Sequence, residues 1–94
     1  MENTVINKEQ YRQFKQIKQK YPDAIVVLRI ADDYTAFDED AEIIHQLTGN
    51  NLTDIPGIGN TCHFPFGDMD TILHRLVKAG NKVAVCDALE NPKR

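Results

Sequence analysis

The 94-residue sequence contains no serine, no tryptophan and only two cysteines, Cys62 and Cys86. The absence of serine excludes a serine–histidine–aspartate triad. Two cysteines are too few for a disulfide scaffold, so we expect both thiols to be reduced. The longest strictly apolar run has five residues, which cannot span a bilayer, and the first residues lack the pattern of a signal peptide. These absences predict a cytoplasmic protein without membrane contact.

The composition is that of one small globular domain, with 41% hydrophobic and 27% charged residues. We expect a single domain over residues 1–94, with a core at about residues 8–89 and a polar tail at residues 90–94. The net charge of −3 disfavours nucleic-acid binding, because Lys and Arg supply most phosphate contacts. Lys8, Arg12 and Lys15 nevertheless share one stripe of a predicted helix. That stripe is either ordinary solvated surface or a set of phosphate contacts.

The stretch from Ala24 to Phe37 organises the rest of the chain. Its first eight residues are apolar except for Arg29, a pattern that indicates a strand buried on both faces. The strand is predicted to end in a turn, Asp32 to Thr35, and open α/β sheets usually meet their ligands at such strand ends. A helix is predicted to follow over Phe37 to Leu47, with its acidic first turn explained by the helix dipole.

The remaining segments complete an alternating pattern of helices and strands. Capping, Pro and Gly signals predict an opening helix capped by Asn7, an irregular loop, a short strand, a third helix capped by Asp68 and a second central strand. Pro65 either makes the short strand an edge strand or ends it. Alternation of this kind predicts an α/β fold, a single small domain with a mixed β-sheet flanked by three helices. The predicted spans are Lys8 to Lys20, Leu52 to Asn60, Thr61 to Phe66, Asp68 to Gly80 and Lys82 to Ala88.

Two local patterns suggest chemistry and have plainer explanations. Ile55 to Gly59 resembles the hairpin of a helix-hairpin-helix motif, whose amides hold a phosphate, but the flanking residues do not predict helices, which favours a plain loop. Cys62, His63 and Cys86 suggest metal or thiol chemistry, but their spacing does not supply four zinc ligands. We therefore expect no metal and no cofactor, and no phosphate-binding loop of an NTPase is present.

Four segments carry a family resemblance: Tyr11 to Asp23, Val27 to Ala41, Phe64 to Phe66 and Leu76 to Asp87. The second, VLRIADDYTAFDEDA, aligns without gaps to a strand, a "Gly-Asp-Phe-Tyr-Glu" turn and a helix. In this order they resemble the N-terminal mismatch-recognition domain, domain I, of the MutS family of DNA mismatch-repair proteins. The resemblance extends over most of the chain and implies the same α/β fold, with no catalytic role.

In that family a Phe-x-Glu pair contacts the mismatched base, the phenylalanine as a wedge and the glutamate through a hydrogen bond. The ungapped alignment puts Asp33 and Thr35 at these two positions, so the resemblance implies the fold without the reading pair. Only a slip of one residue would put Tyr34 at the wedge position. From its sequence context, Tyr34 either packs under the second helix or stacks on a base.

The favoured interpretation is a non-catalytic DNA-binding module whose binding is weak, nonspecific or repurposed, with mismatched duplex as one possible target. Its expected contacts are Asp33, Tyr34 and Thr35, with the loop from Pro56 to Asn60 beside them and phosphate contacts from the basic stripe. The alternative is a protein-interaction or regulatory domain with no nucleic-acid contact. Besides DNA, the expected partners are the remaining domains of a larger protein or another protein. An enzyme using Cys62, His63 and the acids is the third and least favoured class, because those groups would have to converge in one cleft.

Overall fold

A computed structural model describes residues 6–88 as three helices around one five-stranded mixed sheet. The strands lie in the order β3-β4-β2-β1-β5, in which β5 is parallel to β1 and the other neighbours are antiparallel. The elements are α1 Lys8–Lys20, β1 Ala24–Ile30, β2 Asp33–Phe37, α2 Asp38–Thr48, β3 Leu52–Ile55, β4 Gly59–Pro65, α3 Met69–Lys78 and β5 Lys82–Asp87, with a 3-10 turn at Phe66–Asp68. The predicted fold class is confirmed.

Two of the predicted helix boundary signals act as expected. The Asn7 side chain accepts a hydrogen bond from the Gln10 amide at 3.0 Å, and the Gln10 side chain accepts one from the Asn7 amide at 2.9 Å. This reciprocal capping box fixes the start of α1. Gly49 ends α2 in the left-handed region. The predicted cap by Asp68 is wrong, because its side chain makes no capping hydrogen bond and the 3-10 turn leads directly into α3.

The largest correction concerns Asp32 to Thr35, which do not form a turn. Only Ala31 and Asp32 turn the chain, and Asp33–Phe37 form β2, which pairs antiparallel with β1 and places Ile30 opposite Asp33. Ala31 adopts a positive φ of 56°. Such two-residue hairpin turns usually carry Asn-Gly or Asp-Gly, so Ala-Asp gave no signal for one. The predicted helix over Phe37 to Leu47 accordingly begins one residue later, at Asp38.

Two further strand predictions change. The loop from Leu52 to Asn60 contains β3 and the start of β4, joined by a tight turn in which the Ile58 amide donates to the Ile55 carbonyl at 2.9 Å. Ile55 to Gly59 is therefore a β-hairpin turn and not a helix-hairpin-helix. β4 lies between β3 and β2 inside the sheet, and β5 is at an edge, where Val85 is half-exposed. β5 is thus at an edge where a central strand was predicted. Of the two alternatives for the short strand, the edge position is wrong, whereas Pro65 does end β4.

Alternate residues of β1 divide the core between the two faces of the sheet. Ile25 and Val27 belong to a cluster under α2 and α3, while Val26 and Leu28 join Phe14 of α1 on the other face. This is the pattern expected of a strand buried on both faces.

The expected polar tail at residues 90–94 lies outside the described residues. No helix within residues 6–88 is both long and apolar enough to cross a membrane.

Candidate nucleic-acid interface

Tyr34 lies in the core. Its side chain is 8% exposed and belongs to the cluster that packs beneath α2 and α3. Phe66 covers it with the two ring centroids 5.7 Å apart and the planes 16° from parallel, and the Arg29 guanidinium lies 4.4 Å from the Phe66 centroid. Aromatic pairs and cation–π contacts of this kind stabilise the packed arrangement. The packing interpretation of Tyr34 therefore fits the geometry, and no base reaches its ring in this conformation.

Asp33 and Thr35 occupy the opposite face of β2, because side chains alternate along a strand. Thr35 is fully buried, and within residues 6–88 its Oγ1 atom finds no hydrogen-bond partner. Asp33 is 23% exposed, and its Oδ2 atom lies 3.3 Å from His63 Nδ1 on the neighbouring strand β4. His63 is directly opposite Thr35 in the sheet and is 49% exposed. Among Asp33, Thr35 and His63, the side chain of His63 is the most exposed to solvent.

Lys8 is brought to the β3–β4 turn, as the expected interface requires. A Cβ atom at Gly57 would lie 3.1 Å from Lys8 Cε, so the ammonium group lies over the turn. Tyr11 donates its hydroxyl to Asp38 Oδ2 at 2.8 Å, which ties α1 to the start of α2. The hydrogen bond to Asp38, with a smaller effect of burial, raises the pKa of Tyr11.

Arg12 and Lys15 are exposed and make weak surface contacts. Arg12 lies 3.4 Å from Glu9, a pair with both side chains about two-thirds exposed, and Lys15 lies 4.6 Å from the centroid of the Tyr11 ring. Exposed contacts of this type contribute little to stability. Both cations could therefore turn toward an anionic partner at little cost.

The predicted contact residues fall into two groups at opposite ends of β2. The β3–β4 turn lies beyond the end of β2, because Phe37 pairs with Thr61 and the turn at Gly57 comes before Thr61 in the chain. At about 3.4 Å per residue, the stretch from Gly57 to His63 spans at most roughly 20 Å. The Asp33–His63 pair is at one end, and the hairpin turn with Lys8 is at the other. The rim near Tyr34 has mixed charge, with Arg29 exposed beside the acids Asp32 and Asp87. It therefore does not by itself separate a DNA partner from a protein partner.

The groups weighed for metal or thiol chemistry do not converge. Cys62 points into the cluster under α2 and α3, whereas His63 points to the other face of β4. Burial raises the pKa of the Cys62 thiol to about 11, so it stays protonated and unreactive at neutral pH. Across residues 6–88, no three His, Cys, Asp or Glu side chains could together hold a metal ion.

The chain was compared with models of known protein families. A family model described as MutS domain I matches residues 9–94. The chain belongs to the MutS domain I family. The expected family is thus confirmed, and with it the mixed α/β sheet flanked by three helices.

The chain is similar to several proteins named DNA mismatch repair protein MutS. It is 41% identical to that of Porphyromonas gingivalis over 98 aligned residues, which cover 100% of this chain and 11% of the relative. The Phocaeicola vulgatus protein is 40% identical over 97 residues, covering 99% of this chain and 11% of the relative. The Flavobacterium johnsoniae protein is 42% identical over 87 residues, covering 87% and 10%. The chain thus spans about a tenth of the length of the curated relatives it matches.

The resemblance implied that Asp33 and Thr35 stand at the positions of the Phe-x-Glu pair, and this correspondence stays a prediction. In the structure one of these side chains is enclosed and the other is paired with His63. Sequence reasoning considered His63 only for metal or thiol chemistry and missed this contact. No local signal could have found it, because Asp33 and His63 are 30 positions apart and meet only through the β2–β4 register.

Proposed function

We propose that this chain is the DNA-contacting, non-catalytic N-terminal module of a MutS-like mismatch-repair protein. The observation that carries the proposal is the family match over residues 9–94. The named relatives act in DNA mismatch repair, and their domain I is the counterpart of this chain. The proposed surface runs along β2 from the Asp33–His63 pair to the hairpin turn and the basic stripe of Lys8, Arg12 and Lys15.

The proposed binding is weak and nonspecific. Asp33 would bring a negative charge toward base stacks and phosphates, and the enclosed Thr35 offers no group to a base. What remains is attraction between phosphates and the stripe cations, which does not depend on sequence. His63 and the turn at Gly57 are at most roughly 20 Å apart along the chain, a distance that duplex DNA covers in about six base steps.

The test is binding of the 94-residue chain to matched, mismatched and single-stranded oligonucleotides over a range of salt concentrations. The logarithm of the binding constant falls as the logarithm of the salt concentration rises. Removal of one cation that neutralises a phosphate should make this slope shallower by about 0.9 on duplex DNA. We expect a triple variant, Lys8→Gln, Arg12→Gln and Lys15→Gln, to reduce both affinity and slope. Matched and mismatched duplexes should bind about equally.

The matched control removes the same charge elsewhere, through Lys20→Gln, Lys78→Gln and Lys82→Gln, all of which are exposed. This second triple variant should retain the parent's salt slope. Equal reductions in the two triple variants would mean that net charge and not a defined surface drives binding. No binding even at low salt would overturn the DNA proposal for this chain. A clear preference for mismatched duplexes would overturn its nonspecific character.

A second candidate function is docking to protein, either the remaining domains of a larger protein or a separate partner. It is favoured by Val77 on α3 and Val85 on β5, both about half-exposed. Among residues 6–88, β5 is an edge strand of the sheet. Exposed apolar groups near a strand edge are typical of interaction surfaces. Sedimentation of the parent and of Val85→Thr over a range of concentrations tests one form of this candidate, in which the partner is a second copy of the chain. Monomers in both would exclude that form. The cytoplasmic location remains a prediction.

A further inference from the structure

The Asp33–His63 pair lies where the family alignment implies the mismatch-reading residues. His63 comes from β4, directly across the sheet from Thr35. Its ring is half-exposed, while Thr35 beneath it is enclosed and Asp33 is mostly covered. A DNA strand that approaches this end of β2 would therefore meet the imidazole of His63 first.

The contact with Asp33 orients the imidazole ring. Nδ1 is 3.3 Å from the carboxylate, so Nδ1–H is the donor and Nε2 is the free end of the ring. When the ring is neutral, Nε2 can only accept a hydrogen bond. When the ring is protonated, Nε2–H becomes a donor with a positive charge, suited to a phosphate oxygen. Imidazole side chains ordinarily change charge between about pH 5 and pH 8.

Within residues 6–88, the strands beside β4 bring few other charged groups to the face of the sheet that carries His63. On the same face β2 contributes Asp33, and β3 contributes the neutral Thr53, which pairs with Thr61 two residues before His63. Arg29 pairs with Tyr34 and so lies on the opposite face of the sheet. Lys8 is at the far end of β4, beside the hairpin turn. Asp33 is thus a charged neighbour of His63 on this face, and protonation of the ring adds one positive charge to this end of β2.

We propose that His63 is a DNA-backbone contact that strengthens binding only when its ring is protonated, and that it takes over the position left by the missing reading pair. This proposal rests on the proposed DNA-binding function. It adds a phosphate contact supplied by β4 and a dependence of affinity on pH that the cations of α1 cannot produce, because Lys and Arg remain charged across this range.

The experiment measures duplex affinity and its salt slope at about pH 6 and about pH 8 for the 94-residue chain, His63→Gln and His74→Gln. His74 is exposed on α3 and serves as the matched control. We expect the parent to bind about tenfold more tightly at the lower pH, the size expected of one charge-assisted hydrogen bond. His63→Gln should remove that difference and lower the salt slope by about 0.9 at the lower pH only. His74→Gln should behave like the parent.

Chemical shifts of the His63 ring provide a local measurement. Duplex added at the lower pH should move the His63 ring resonances and leave those of His74 in place. A chain that binds DNA while His63→Gln keeps the full pH difference would overturn this inference and leave the proposed function intact. A parent that binds no DNA at either pH would overturn both. Circular dichroism of the variants checks that each is folded, which we expect because both rings are on the surface.

Discussion

At the scale of single residues, Asp40 illustrates how a charge can be buried safely. The carboxylate is 3% exposed, accepts two hydrogen bonds from Lys18 at 2.9 and 3.0 Å, and accepts one from the Val26 amide at 3.0 Å. It thereby joins α1, β1 and α2 at one point. Removing one partner of a buried charge pair leaves the other unpaired, which costs more than the pair itself contributes.

We therefore expect Asp40→Ala to lower the free energy of unfolding by about 2–3 kcal/mol, since Lys18 keeps some access to water. Urea unfolding curves measure the change. Glu39→Ala, at the exposed neighbouring position, is the control and should stay within about 0.5 kcal/mol of the parent. A loss of the same size in both variants would show that helix charge, and not the buried pair, is responsible.

The two thiols should differ in reactivity. Cys62 is fully buried with its pKa raised to about 11 by desolvation, whereas Cys86 is partly exposed. At about pH 8 we expect iodoacetamide to modify Cys86 in the native chain and to reach Cys62 only in denaturant, as mass spectrometry would detect. Cys86→Ser should then leave the native chain unmodified.

The buried Cys62 thiol also makes stability depend on pH. Because an unfolded thiol ionises at its ordinary pKa of 9.0, the stability due to the protonated Cys62 should be present below pH 9 and lost as pH rises toward about 11.

At the scale of elements, the β1–β2 turn carries backbone strain. Ala31 adopts a φ of 56°, a region that costs an L-residue with a Cβ atom more than it costs glycine. We expect Ala31→Gly to raise the free energy of unfolding by about 0.5–1 kcal/mol, measured by urea or thermal unfolding. Ala79→Gly is the control, because Ala79 is exposed with a φ of −81° and gains no relief. Ala79→Gly should instead lower the free energy of unfolding slightly, because glycine increases the conformational entropy of the unfolded chain.

At Gly57, in the β3–β4 turn, we expect the opposite effect, because an alanine there should lower the free energy of unfolding. Its φ is 81°, and Lys8 Cε would lie 3.1 Å from an added Cβ atom. The lysine chain can move aside, so the cost of Gly57→Ala should come mainly from the backbone and amount to about 1 kcal/mol. Gly67→Ala, with no positive φ and no atom within 4 Å of the added Cβ, should be close to neutral in the same unfolding assay. Equal costs at both positions would contradict this explanation.

The sequence predicted elements well where periodicity or capping was strong. The three helices and β1 have long patterns with clear ends, such as Asn7 and Pro22 around α1. β2 was missed because its turn lacks a glycine, and β3 because Leu52–Ile55 is short and polar. β5 was placed in the centre because it is apolar on both faces. Edge and centre are decided by which strands pair, and no single segment encodes that choice.

The candidate site was less predictable than the fold, for the same physical reason. The alternation along β2 fixes which side chains share a face, but Tyr34 is enclosed by Phe66, which lies 32 positions later in the chain. Asp33 meets His63 only through pairing with β4. Long-range contacts of this kind decide exposure, and exposure decides which residues a partner can touch.

At the scale of the whole molecule, the strand β1 joins the two halves of the core, and β2 also contributes to both. β1 supplies Val27 to the cluster under α2 and α3, and Leu28 to the cluster under α1. Neither cluster can lose its packing without disturbing the strand shared with the other. For the compact fold of residues 6–88, this arrangement favours one cooperative unfolding transition.

Truncating a buried residue in either cluster should therefore destabilise the whole chain. Leu28 and Ile44 are both fully buried and lie on opposite faces of the sheet. We expect Leu28→Ala and Ile44→Ala each to cost about 3 kcal/mol, because each leaves a cavity. Unfolding followed by far-ultraviolet circular dichroism should coincide with unfolding followed by tyrosine fluorescence in both variants. Val77→Ala, at a half-exposed position, should cost less than about 1 kcal/mol. Two separate transitions in either core variant would show that the faces unfold independently, and β1 would then not be the link between them.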